Sequence, residues 1–322
     1  VIVLWILVIL ASVAAIVWGA ETFAEHLGMA AVRLRVSMFA LSLLLAGAEP
    51  EELATAVAAA VKDVPGIAFG DVIGANIAIC LVALGVGAVI APLPFGKHVR
   101  RYALFSVPIG AIATAFVWNG QVDRLEGALL VGLYILYVAI IWIVERHPPT
   151  LGETEELEEA QAKLANAEGG NIQSRISKEL LLVIAGVIAM AIGAILLVEA
   201  VRQISNVEET QTKLGLTLVG FATAFELVVL TWSSSRRGIS EVVVAGVVGS
   251  FAYNVTMTLG TAAIARPLQV LDATNLHLSL LLMLASLLFV ILLAIPKGFL
   301  DRIAGSILLA VYLVIVVVIL MQ

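Results

Sequence analysis

The sequence predicts an all-α polytopic membrane protein: ten transmembrane helices in two inverted five-helix repeats, with broken helices at the midplane. Three observations carry that prediction. Hydrophobic residues fill 61% of the 322 positions and charged residues only 13%, with a mean hydropathy of +1.09. A soluble domain has about 25% charged and 45–50% apolar residues, so too little polar material remains to clothe a surface in water. Ten stretches are apolar and close to the ~20 residues needed to cross about 30 Å of hydrocarbon. The two halves of the chain also repeat one another. Together these exclude a soluble enzyme, a nucleic-acid binder, a coiled coil and a disordered regulator.

The ten stretches are 1–20, 32–61, 66–91, 102–118, 126–144, 179–201, 213–235, 241–265, 274–295 and 302–321. The first lacks the basic flank of a signal peptide and reads as a span. The second is overlong and is interrupted at Gly47 and Pro50. Between the fifth and sixth lies one polar stretch, with Pro148-Pro149, an acidic run (Glu153, Glu155, Glu156, Glu158, Glu159) and Gly169-Gly170. The chain therefore divides into a first repeat at 1–144, an acidic linker at 145–178 and a second repeat at 179–322.

A shift of 175 residues aligns Lys62 with Arg237, Gly74 with Gly249, Leu84-Gly85 with Leu259-Gly260, and Pro92-Leu93 with Pro267-Leu268. A shift of 178 aligns Asp123-Arg124 with Asp301-Arg302, Gly127 with Gly305, and Tyr134 with Tyr312. Chance does not hold register through glycine, proline, Asp-Arg and tyrosine together. Five spans per repeat is an odd number, so the second copy must enter the membrane the other way up. Inverted repeats of this kind recur in transporters, with the substrate site near the midplane where broken helices meet.

Joins after spans 3, 7 and 9 carry Lys97, Arg100, Arg101, Arg236, Arg237, Lys297 and Arg302. Joins after spans 2, 4, 6 and 8 carry Lys62, Arg124, Arg202, Lys213 and Arg266. The positive-inside rule then places both termini outside the cell membrane and the acidic linker in the cytoplasm.

Carboxylates inside spans are costly and point to function. Span 2 contains Ala46-Gly47-Ala48-Glu49-Pro50-Glu51-Glu52-Leu53, and span 7 contains Gly220-Phe221-Ala222-Thr223-Ala224-Phe225-Glu226-Leu227. Pro50 has no amide hydrogen and crowds the carbonyl four residues earlier, while Gly47 loosens the backbone beside it. Carbonyl oxygens freed at that depth are tolerated around a cavity. Carboxylates plus free carbonyls make a hard-cation site; calcium takes six to eight oxygens at about 2.3–2.6 Å. One glutamate per repeat neutralises Ca²⁺. Glu226 is the only acid within span 7. In the first repeat Glu49, inside the break, is the leading candidate, Glu52 the second, and Glu51 the one facing elsewhere. Asn76 on span 3 and Asn254 on span 8 are candidate neutral ligands, with helix–helix hydrogen bonding as their plainer use.

The remaining polar residues read as ordinary. Asp71 on span 3 and Glu241 at the start of span 8 are either secondary ion positions or interfacial groups. The Asp-Arg pairs at 123–124 and 301–302 open spans 5 and 10, where an acid complements the helix dipole. His26, His98, His147 and His277 show no metal-ligand spacing. The lone Cys80 excludes an internal disulfide and reads as a small buried hydrophobe. The acidic linker lacks the spacing of a calcium-binding loop and reads as a solvated tether.

These residues resemble the cation/Ca²⁺ exchanger superfamily, whose two inverted repeats carry a Gly-Thr-Ser-x-Pro-Glu type motif followed by a Gly-Ser-Asn-Ile type motif. The first repeat reads Gly47-Ala48-Glu49-Pro50-Glu51-Glu52 and Gly74-Ala75-Asn76-Ile77; the second reads Gly215 through Glu226, then Gly249-Ser250-Phe251. The resemblance spans nearly the whole chain and implies that the essential glutamates lie in Glu49–Glu52 and at Glu226. Sodium-coupled members resemble one another in having hydroxyl residues around each glutamate. This chain has Ala48 and Ala75 in the first repeat and keeps only Thr223 and Ser250 in the second, so Ser250 joins the candidate ligands. Sodium needs a full oxygen shell, whereas a proton needs only a carboxylate. The sequence is accordingly closest to the prokaryotic Ca²⁺/H⁺ antiporter branch.

The expected metal-binding set is Glu49, Glu226, Glu52, Asn76, Ser250 and Asn254, with Glu49 and Glu226 also exchanging protons by alternating access. Ca²⁺ and H⁺ are substrates rather than cofactors, no cofactor or nucleic acid is expected, and a monomer in the bilayer suffices. Na⁺/Ca²⁺ exchange is the alternative on the same fold and site. A cation channel and an intramembrane hydrolase are weaker readings, the second for want of a nucleophile–base or two-metal site. No phosphate-binding loop is present for ATP-driven pumping.

Overall fold

The computed structural model describes residues 2–33, 49–145, 172–237 and 241–321, and it is helical almost throughout. The first repeat contains α1 (Ile2–Arg33), α2 (Pro50–Val61), α3 (Pro65–Ala78), a π-helical turn (Ile79–Ala83), α4 (Leu84–Ile90), α5 (Lys97–Val117) and α6 (Arg124–Glu145). The second contains α7 (Ile172–Ile204), α8 (Glu208–Leu214), a π turn (Gly215–Val219), α9 (Gly220–Thr223) and α10 (Phe225–Arg237). It continues with α11 (Glu241–Tyr253), a third π turn (Asn254–Thr258), α12 (Leu259–Ala265), α13 (Thr274–Ala294) and α14 (Arg302–Met321).

Among the described residues eight helical segments are long and apolar enough to cross a membrane. The other two expected spans fall short for local reasons. Part of span 2 (34–48) lies outside the described residues, as do 146–171 of the linker. Helix α5 opens on Lys97, His98, Arg100 and Arg101, which dilutes its hydropathy. Two expected boundaries are corrected. Helix α1 runs on to Arg33 rather than stopping at 20, and α7 begins at 172 rather than 179. Hydropathy marks where hydrocarbon ends, but a helix continues as long as its polar residues find partners. Here His26 Nδ1 in the extension of α1 and Glu179 Oε2, just beyond the extension of α7, are 2.5 Å apart.

The repeat is visible in backbone detail. The π turns at Ile79–Ala83 and Asn254–Thr258 are related by the 175-residue shift. Short strands β1 (Leu93–Pro94) and β3 (Leu268–Gln269) follow at the same shift, and β2 (Gln121–Val122) and β4 (Phe299–Leu300) are related by 178. Each β2 and β4 is entered from a glycine at positive φ, Gly120 (73°) and Gly298 (71°), a conformation that costs glycine nothing.

The strands also fix the relative orientation of the repeats. β1 pairs with β4, and β2 pairs with β3. The loop after span 3 therefore shares a face with the loop after span 9, and the loop after span 4 shares the other face with the loop after span 8. That is the alternation an inverted second copy requires. Lys62 Nζ donates to Glu199 Oε2 at 2.8 Å, and Arg266 reaches Asp63 at 2.8 Å, joining the ends of spans 2, 6 and 8 on that second face. The Asp-Arg pairs cap their helices as expected. Asp123 Oδ1 accepts from the Glu126 amide while Glu126 Oε2 accepts from the Asp123 amide; Asp301 Oδ1 accepts from the Ala304 amide. The Lys297 side chain on Asp301 and that capping amide hold the Asp301 carboxyl below the usual carboxylate range.

Spans 3 and 8 form the centre. They are buried over 83% of their most apolar stretch, against 28–33% for α1, α6, α7 and α14, whose outer faces meet lipid. Lipid is as apolar as leucine, so helices here associate through close van der Waals fit rather than water exclusion. Glycines supply that fit. A Cβ on Gly305 would stand 2.7 Å from the Gly85 carbonyl oxygen, and one on Gly127 would stand 2.7 Å from that of Gly260. These are the repeat-related glycines, locking α4 to α14 and α12 to α6. Along α3, Gly66, Gly70 and Gly74 lie on one stripe against span 7; a Cβ on Gly70 would meet the Gly215 backbone at 2.8 Å, and one on Gly74 the Leu216 carbonyl carbon at 2.7 Å.

This packing predicts that Gly74→Val forces α3 away from span 7 and lowers stability by about 1–3 kcal/mol, the usual penalty for overpacking. Gly132→Ala, whose Cβ meets nothing within 4 Å, should be neutral or slightly stabilising. Thermal unfolding in detergent compares the two; equal melting temperatures would contradict the close-fit account.

Candidate cation site

Helix α2 begins inside the membrane. Pro50 occupies its first turn, where a missing amide hydrogen costs nothing, and Glu49 is the residue just before, with φ −113° and ψ 82°. Glu51 and Glu52 complete that turn. All three acids are buried, 2%, 1% and 0% exposed. Glu51, expected to face elsewhere, is as buried as its neighbours and stands against both. The positive end of a helix dipole favours anions in its first turn, which lowers the cost of keeping carboxylates at this depth.

Span 7 repeats the arrangement by another route. It has no proline, yet it breaks at Ala224, between α9 and α10. Glu226 lies in the first turn of α10, half-buried. The π turn at Gly215–Val219 precedes the break; such turns shift helical register by one residue and recur at functional sites. Each repeat thus offers glutamate at the start of a half-helix.

The two half-helices face span 8. The Ser250 hydroxyl of α11 donates to Glu49 Oε1 in a very short contact. Asn254, four residues on and at the start of a π turn, turns its amide toward Glu52 without meeting hydrogen-bond geometry. Asn254 Nδ2 also donates to Asn76 Oδ1 at 3.5 Å, and Asn76 Nδ2 donates to Met283 Sδ at 3.7 Å. These are long contacts, so both amides remain weakly held. Glu226 couples electrostatically to both Glu49 and Glu52. Five of the six expected residues are within 2% of complete burial, Glu226 being the exception, and all six gather between α2, α3, α10 and α11.

Sequence reasoning undervalued Asp71. On α3 it is 0% exposed, its Oδ1 accepts from Thr223 Oγ1 across the repeats at 2.9 Å, and it couples to Glu52. The available signal was its place five residues before Asn76 in a run with no other charge, Gly66 to Val89. The side chain of Glu241 lies outside what the structure describes.

No three acidic, histidine or cysteine groups among the described residues converge tightly enough to hold a metal alone. A hard cation here would draw on carboxylates from both repeats together with hydroxyl, amide and main-chain oxygens, the mixed shell that calcium accepts. An apolar cavity lined by Phe69, Val72, Thr114, Val255 and Met283 lies on another side of α3 and holds no carboxylate.

Comparison with known proteins bears on the family and the fold. The family model for sodium/calcium exchanger proteins matches residues 4–143 and 178–321. The chain is 26% identical to the sodium/calcium exchanger MaX1 of Methanosarcina acetivorans, covering 97% of both chains. It is 22% identical to the putative antiporter CaxA of Alkalimonas amylolytica, covering 95% of each. Among solved structures it resembles the sodium-calcium exchanger NCX_Mj soaked with Na⁺ and Sr²⁺, with a TM-score of 0.61, 22% identity and 98% coverage of each chain. The protein is a multi-span cation antiporter, not an enzyme, and it belongs to the sodium/calcium exchanger family.

Proposed function

We propose that this antiporter exchanges Ca²⁺ for protons by alternating access, with one divalent cation held between the α2 glutamates and Glu226. The observation that carries this reading is the ratio of acids to hydroxyls. Five carboxyl groups, Glu49, Glu51, Glu52, Asp71 and Glu226, gather here, and the hydroxyls of Ser250 and Thr223 already donate to two of them. One Ca²⁺ balances two carboxylates. The surplus negative charge needs further cations in every state of the cycle, and a proton is the one that demands no oxygen shell. The burial of the group keeps bulk water from supplying that compensation.

Glu52 takes precedence over Glu49 in this reading. Both Glu52 oxygens lack a hydrogen-bond partner among the described residues, whereas Glu49 is engaged by Ser250. Asn254, Asn76 and Ser250 would complete the shell. Orientation follows the basic joins: Lys97, Arg100, Arg101, Lys297 and Arg302 belong to the β1–β4 face. That face is the cytoplasmic one by the positive-inside rule, with the linker on the same side and both termini outside. A single chain carries the whole site, so a monomer is sufficient. Na⁺/Ca²⁺ exchange is the second reading, favoured by the likeness to the sodium/calcium exchanger MaX1 and to NCX_Mj.

Two outcomes are expected. Glu226→Gln should abolish Ca²⁺ flux while the purified protein melts as the wild type does; wild-type flux would remove Glu226 from the site. In proteoliposomes, an imposed pH gradient should drive Ca²⁺ uptake and a Na⁺ gradient should not. Ca²⁺ binding should also weaken as pH falls, because protonation removes the charge that holds the metal. Uptake driven by Na⁺, with binding indifferent to pH, would decide for the sodium-coupled reading.

A further inference from the structure

Asp71 is the acid outside the two half-helix starts that an exchange by one glutamate per repeat leaves unexplained. It sits on the innermost span, 0% exposed, with no counter-charge on its own helix. Its Oδ1 is taken by Thr223, but Oδ2 has no hydrogen-bond partner among the described residues. An unpartnered buried carboxylate oxygen destabilises the fold, so the position is not explained by stability. Two observations indicate where it is aimed. Asp71 acts electrostatically on Glu52, whose own two oxygens are equally unbonded and 0% exposed. The hydroxyl that bonds Oδ1 belongs to Thr223, three residues before Glu226 on the opposing repeat. Because Thr223 has spent its one proton on Asp71, its lone pairs are what it offers to a neighbouring cation.

We propose that Asp71 is a third ion-binding carboxylate of the transport site, and that it sets how many charges the exchanger moves per divalent cation. This rests on the exchange reading above. Two glutamates, one from each repeat, balance the two charges of a divalent cation. A third carboxylate beside that shell leaves one negative charge over when the divalent cation is bound. In the return half of the cycle that same carboxylate takes a monovalent cation of its own. Each turnover then exchanges one more monovalent cation than the glutamate pair alone would require. The asymmetry is specific to the first repeat: at the 175-residue shift the position of Asp71 is occupied by Gly246.

The test is the charge carried per Ca²⁺, read from the reversal potential of Ca²⁺ flux in proteoliposomes with the membrane voltage clamped by K⁺ and valinomycin. Asp71→Asn is expected to move one elementary charge fewer per Ca²⁺ than the wild type, and to bind Ca²⁺ about tenfold more weakly or worse, the scale seen when a metal site loses a supporting group. Asp71→Glu should restore the wild-type charge. An unchanged reversal potential in Asp71→Asn would overturn the inference, whatever happens to affinity, because a purely structural aspartate alters stability and not stoichiometry. Should Asp71→Asn fail to fold, the wild-type protein supplies the second measurement. A hydrophobic carbodiimide should label Asp71 in the Ca²⁺-free protein, and millimolar Ca²⁺ should suppress that labelling severalfold. Labelling indifferent to Ca²⁺ would equally overturn it. Wild-type vesicles that move no Ca²⁺ under any gradient would sink the exchange reading itself, a result distinct from either of these.

Discussion

The rest of the structure depends on one constraint: several carboxyl groups held together where water is scarce. A charged side chain at the centre of a membrane helix costs about 2.5–3.5 kcal/mol on insertion scales. Five such groups, left bare, would cost as much as the ~5–15 kcal/mol by which a whole domain is stable. They persist because each is compensated in part. Helix starts at Pro50 and Phe225 present positive dipole ends to Glu51, Glu52 and Glu226. Ser250 and Thr223 each donate a hydroxyl proton. What these groups leave uncompensated is a demand for mobile cations, and that demand is what a carrier converts into exchange.

The inverted repeat explains how so costly a cluster is assembled. Neither half-helix can surround a cation by itself, because each brings acids from one side only. Interlocking the copies solves this through close backbone contact. Gly70 and Gly74 let span 3 lie directly on span 7, which places Asp71 against Thr223. The glycine pairs 85–305 and 127–260 hold the flanking helices in the same crossed fashion. Meanwhile α1 and α7 pack along each other and touch the centre chiefly through α2, with Lys62–Glu199 as a polar tie at one end. The layer that holds the acids is therefore closely packed, with the two longest helices lying alongside it.

Much of this was legible in the sequence because hydropathy and repetition report on bulk properties. The spans from 66 onward begin and end within a few residues of the expected positions, apart from the basic start of α5 and the polar start of α7. The 175-residue shift that aligned Gly85 with Gly260 also relates the π turns. The proline rule located the break beside Glu49. The break at Ala224 was not legible, since no proline or glycine stands at it; it lies where the chain packs on α3. Asp71 was ambiguous for a related reason. A single acid on a long apolar helix reads the same whether it faces lipid headgroups or the core, and only the neighbouring helix decides. The order of Glu49 and Glu52 depends on which of them α11 engages, something no local pattern encodes.

The central claim is that one divalent cation is shared between carboxylates of the two repeats. Equilibrium Ca²⁺ binding to Glu52→Gln, Glu226→Gln and the double variant, in detergent at fixed pH, tests it most directly. A shared cation predicts strong non-additivity: either single change removes nearly all the binding, and the second removes little more. Losses that simply add, with each single variant retaining a site of its own, would mean that the two glutamates serve separate ions and would contradict the account.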